Sequence, residues 1–166
     1  MKEINYNVEA ALNYANKWAL SRNPKYFDFS NLNLGGDCTN FVSQCLYAGS
    51  NVMNLTKTFG WYYVSLNNRS PAWSGVQELY NFLVNNKGVG PFGSEKPLDK
   101  AKAGDIIQLS FQNAKFSHSL FVTDAYSKNP KDILIAAHTY NALNKPLSEY
   151  LYLAARLIHI QGVRSN

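Results

Sequence analysis

The stretch 33-NLGGDCTNFVSQCLYAG-49 sets two glycines and an aspartate directly before a cysteine, and the residues after that cysteine have helical spacing. Phe41, Val42, Cys45 and Leu46 supply one buried face, and Gly49 reads as a stop. Asp37 is a good N-cap, and Gly35-Gly36 allow a tight entry into the helix. Cys38 then falls in the first turn, where unpaired backbone N–H groups and the helix dipole favour an anion. Thiol pKa values in such places drop from ~8.5 into the range ~3.5–7.5. The Asp37 carboxylate opposes this, because it competes for the same donors and repels a thiolate, so the site calls for a cationic partner. Two readings stand at this point: a nucleophile at a helix end, or a packed small hydrophobe such as Cys45.

Outward from this stretch, Val8, Ala11, Leu12, Ala15, Trp18 and Ala19 recur at helical spacing and predict an amphipathic helix over Tyr6 to Leu20, ended by "SRNP". "KYFDFSNLNLGG" reads as a loop. "SPAWSGVQELYNFL" starts a third helix, with Ser70 as N-cap and Pro71 in the first turn. The pattern then changes. "DIIQLSF", "SHSLFVTDAY", "DILIAAH" and "YLAARLIHI" are short apolar or alternating runs separated by Asn, Lys, Pro and Gly, and read as strands. Helices first and strands second predict an α+β fold with N-terminal helices packed on a C-terminal antiparallel sheet. No repeat or linker divides the chain, so residues 1–166 are expected to form a single domain.

Bulk properties narrow the partners. The 166 residues carry a formal net charge of +5, with lysines scattered and forming no run. That charge favours approach to an anionic polymer, and nothing resembles a nucleic-acid-binding motif. No stretch approaches the ~18 apolar residues of a membrane helix. The N-terminal residues lack the apolar core of an export signal. The two cysteines, Cys38 and Cys45, lie two helical turns apart, roughly 10 Å along the axis. That is beyond the ~7 Å reach of a disulfide. The segment "GVGPFG" matches a dinucleotide-binding fingerprint only literally, since it follows a helix and contains Pro91.

Three histidines are available, His118, His138 and His159. His118 lies inside a strand-like run with Phe116, Leu120 and Val122 at its own parity, as a hydrogen-bonded core residue or as a base aimed at a nucleophile. His138 ends the next strand. A hairpin between the two strands would set His118 and His138 side by side, the second orienting the first as the third member of a triad does. His159 reads as surface or structural. Neither C-x-x-C nor H-x-x-x-H spacing supports zinc, so no metal and no cofactor is expected.

"GGDCTNFVSQCLYAG", "KAGDIIQLS", "FSHSLFVTD" and "AAHTYNALNKPL", in that order, resemble the putative amidase domain of bacterial proteins. That family is similar to the CHAP and NlpC-like branches of the papain-like cysteine hydrolases. The resemblance covers almost the whole chain, including "EAALNYANKWA", "NPKYFDF" and "WYYVSLNNRSPAW". It implies a papain-like fold, Cys38 as nucleophile, His118 as general base, and His138 as third polar residue, with Asn141 the nearest substitute. It also puts Tyr26 where relatives have a tyrosine facing the oxyanion, and gives Gly104-Asp105 a structural turn. Trp61 and Trp73 are candidates for a cleft or for the core. The expected activity is cleavage of amide bonds through a thioester, in a peptide or peptidoglycan substrate, by a monomer. A non-catalytic binding module of the same fold and a toxin-like deamidase or protease are the alternatives.

Overall fold

A computed structural model of the chain describes residues 1–31 and 35–166. Four helices come largely first: α1 (Val8–Trp18), α2 (Cys38–Ser50), α3 (Pro71–Ser74) and α4 (Val76–Asn85). The expected third helix is thus two, because Gly75 takes an extended conformation between them. Helix α2 runs through Gly49 and ends at Asn51, which adopts the left-handed conformation. Gly49 serves close approach instead of termination: a Cβ there would lie 2.3 Å from the Tyr6 ring and 2.8 Å from the Asn7 carbonyl.

The strands are β1 (Lys2–Ile4), β2 (Tyr63–Ser65), β3 (Asn68–Arg69), β4 (Gly90–Lys96), β5 (Ile106–Gln112), β6 (Lys115–Asp124), β7 (Leu134–Ala137), β8 (Ala142–Pro146) and β9 (Ala154–Ser165). Strands β2 and β3 form a small ribbon. The other seven form one antiparallel sheet in the order β1-β9-β5-β6-β7-β8, with β4 also on β9. Ile158 pairs with both Glu95 and Ile106, and Arg164 with both Gly90 and Glu3. Strand β9 therefore has β4 along one side, and β5 followed by β1 along the other. "GVGPFG" enters this edge strand, where the missing N–H of Pro91 is tolerated.

The sheet is buried on both faces. On one, Ile106, Phe121, Ala136 and Ile158 pack with Ala11, Ala15, Phe41, Cys45 and Leu83 from the helices. On the other, Leu109, Leu120, Val122, Ile135 and Leu157 form a second core under loop residues including Leu98, Leu147 and Tyr150. Trp61 and Trp73 are fully buried in the helix-side core, so neither lines a cleft. Their indole N–H groups donate to Ser43 Oγ and Asn40 Oδ1. Among the described residues, no helix is long and apolar enough to cross a membrane.

Candidate active site

Cys38 is the first residue of α2, as its sequence context predicts, but Asp37 does not cap the helix with its side chain. The Asp37 carboxylate is buried and turned to tertiary partners. Its Oδ1 accepts from Phe29 N–H (3.0 Å) and Asn40 Nδ2 (2.8 Å), and its Oδ2 lies 2.5 Å from His138 Nδ1. Arg22 Nε stands 3.5 Å from the same Oδ2. The second ring nitrogen of His138 meets the Trp18 carbonyl at 2.8 Å, and Phe41 stacks on the ring at 4.1 Å. Both His138 nitrogens are thus engaged, one by a carboxylate and one by a backbone carbonyl. His138 ties the end of α1 and the head of α2 to the end of β7. It does not orient His118.

Behind the cysteine the chain makes a close passage. Gly36 has φ +85°, and a Cβ on it would lie 2.9 Å from Thr139 Oγ1. Thr139, itself at φ 82°, accepts the Asp37 N–H at 3.2 Å. Glycine at position 36 is required both by the left-handed backbone and by this contact.

The thiol sits at an opening in the sheet. Gly104 N–H donates to the Val122 carbonyl, and Val122 N–H to the Asp105 carbonyl, so Val122 faces β5. Alternation then turns the Ser119 N–H to the other edge, toward β7. Strand β7 ends at Ala137 and the chain turns away at Thr139, leaving that amide free of the ladder. Its nearness favours the ionised form of the Cys38 thiol. The Ser119 side chain faces α2, with its Oγ 2.9 Å from Thr39 Oγ1.

His118, the residue before Ser119, faces the other way. It pairs with Leu109, whose side chain lies in the second core, and directly opposed residues share a face. A bulge at Ser117 places Phe116 on the helix side, under the Arg156 guanidinium, so Phe116 does not share the His118 face as alternation alone predicts. The His118 ring lies between Phe111 and Tyr150, with centroids 6.4 and 6.0 Å away. Burial, and secondarily the Lys145 charge, push its pKa down to about 4. Burial also pushes the Cys38 thiol up, against the hydrogen bonds from Ser119 and Thr39. The lowered thiol expected at a helix end is therefore reversed, since Cys38 is 3% exposed and desolvation outweighs the local donors. At neutral pH the site holds a thiol and a neutral imidazole.

The remaining expected residues have other duties. Asn141 Oδ1 accepts from Arg22 at the surface. Tyr26 stacks on Trp73 at 5.8 Å and packs against Tyr63. Asp105 accepts from Lys102 N–H and Ile160 N–H, supporting its structural reading. It also holds His159, with Nδ1 at 2.9 Å, which gives that histidine a partner the strand pattern did not reveal. Among the described residues no three His, Cys, Asp or Glu side chains gather as a metal-holding group.

A model of the family described as "Putative amidase domain" matches residues 5–160. The chain is 29% identical over 144 residues to the uncharacterized protein YhbB of Bacillus subtilis (strain 168), covering 85% of this chain and 44% of that protein. It is 28% identical over 149 residues to the uncharacterized protein YjcM of the same organism, covering 85% of this chain and 32% of that protein. The chain thus spans less than half the length of these curated relatives. No solved structure matches it.

Proposed function

This chain belongs to the putative amidase domain family, and from that premise we propose that it is a cysteine-dependent amidohydrolase of papain-like type. Its substrates on this reading are peptide or N-acyl amides of bacterial wall peptides. The observation that carries the reading is the seat of Cys38 at the head of α2, its sulfur against the amide that directly follows His118. The net charge of +5 favours approach to an anionic wall polymer.

An amide carbon is a weak electrophile, so the sulfur attacks it and forms a thioester. His118 takes the Sγ proton as the C–S bond forms. The imidazolium gives that proton to the leaving amine as the C–N bond breaks. Water then attacks the thioester carbon, His118 accepts its proton, and Cys38 departs to be reprotonated. The Cys38 backbone N–H, unpaired within the helix by position, faces the developing oxyanion.

Digestion of purified peptidoglycan from several wall types by wild type and Cys38→Ala, read by mass spectrometry, tests this. New amine and carboxyl ends from the wild type alone support the cysteine amidase. Equal products from both proteins refute it. The burial of Cys38 favours one rival, a silent site on a binding module. That rival predicts wall binding without products, unchanged in Cys38→Ala.

A further inference from the structure

With His138 held by Asp37 and the Trp18 carbonyl, and Asn141 held by Arg22, neither expected candidate is available to orient His118. A general base needs such a residue, because one ring nitrogen must present its lone pair while the other carries hydrogen. The immediate surroundings of His118 supply one polar group that has no other use. Tyr150 follows the short 3-10 turn Leu147–Glu149, and its ring lies 6.0 Å from that of His118. Its hydroxyl oxygen is buried and has no hydrogen-bond partner among the described residues. Buried polar groups are nearly always paired, so an orphan beside a candidate catalytic base is a group placed to bond to it.

We propose that Tyr150 is the positioning residue of His118: its hydroxyl accepts the N–H of one ring nitrogen and turns the other nitrogen toward Cys38 Sγ. The proposal rests on His118 being the base of the reaction given above. Three features fit it. The Lys145 ammonium sits 4.1 Å from the centre of the Tyr150 ring and restrains that ring. Burial and the neighbouring Glu149 carboxylate keep the phenol neutral by raising its pKa. A neutral acceptor fixes the imidazole without adding a negative charge, so it preserves the low proton affinity that burial and Lys145 impose on His118. A carboxylate in its place would hold the ring but raise that affinity.

The experiment compares the full chain with Tyr150→Phe, which keeps the ring and removes only the hydroxyl. Long-range proton–nitrogen spectra of the labelled proteins report the His118 tautomer. A single tautomer in wild type that becomes mixed in Y150F supports the proposal. An unchanged His118 spectrum in Y150F overturns it. If Y150F does not fold, the wild-type spectrum decides. A His118 N–H protected from exchange and close to the Tyr150 hydroxyl supports the pair, and a ring exchanging between tautomers refutes it. Products that persist in Cys38→Ala would remove the cysteine mechanism, whereas the His118 spectrum reads the Tyr150 pair independently of it.

Discussion

Lowering the pH should destabilise this protein through His118 specifically. The unfolded chain titrates this histidine near its ordinary value of about 6.5, whereas burial and Lys145 hold it at about 4 in the folded chain. Between those values the unfolded state binds a proton that the folded state does not, so stability is lost as pH falls from 6.5 toward 4. The full difference, reached below pH 4, is about 3 kcal/mol at about 1.4 kcal/mol per pH unit. At pH 5 most of it, about 2 kcal/mol, is already present. Only 8% of His118 is exposed, so little of this is screened by solvent. Urea unfolding followed by circular dichroism at pH 7 and pH 5, for wild type and His118→Gln, isolates the effect. Other titrating groups contribute to both proteins and cancel. Wild type should lose about 2 kcal/mol more than the variant over that interval. Equal losses, within about 0.5 kcal/mol, would refute the assignment of a desolvated neutral imidazole.

Asp37→Asn should be the most damaging polar change, because it leaves His138 and Arg22 facing a neutral amide in the interior. A loss of about 3–5 kcal/mol is expected from breaking a buried pair. Thermal unfolding should show it as a drop of roughly 10 °C in Tm. Gly36→Ala should cost at least about 1 kcal/mol in urea unfolding, through the left-handed backbone and the Thr139 contact. Its alkylation of Cys38 should change with it, since the same turn carries Cys38. Asn141→Ala should leave hydrolysis within about twofold of wild type, because its carbonyl serves Arg22 at the surface. A loss beyond tenfold in a steady-state assay would restore Asn141 to the catalytic set.

Elements with a strong apolar period were legible: α1, α2, β5, β6, β7 and β9 each answer a run visible in the residues. Strands β1, β4 and β8 were not, because "KEI", "GPFGSEK" and "ALNKP" carry no alternation and are strands only through their pairing partners. At the site, the position of Cys38 followed from local chemistry. The role of Asp37 did not, since a local rule predicts a cap while its strongest partner lies 101 residues away in the chain. The bulge at Ser117 likewise redirected Phe116 without any Gly or Pro to announce it. Tyr150 gave no signal, because a tyrosine after a polar turn is ordinary until the loop folds it beside His118.

The protonation states of the two candidate reacting groups constrain the order of events. Burial pushes the Cys38 thiol above its ordinary range and holds the His118 imidazole at about 4, so both groups oppose transfer of the proton alone. A thiolate–imidazolium pair is therefore scarce before substrate arrives, and proton transfer must accompany C–S bond formation. Iodoacetamide alkylation of Cys38 measures this directly, because it follows the thiolate fraction. The rate should be low at pH 7 and should rise about tenfold per pH unit until the thiol titrates. A preformed ion pair would instead give a fast, flat rate from about pH 5 to pH 8. A flat profile in wild type that becomes steep in His118→Gln would mean that the solution site already couples the two groups, and that burial is not what sets the Cys38 thiol.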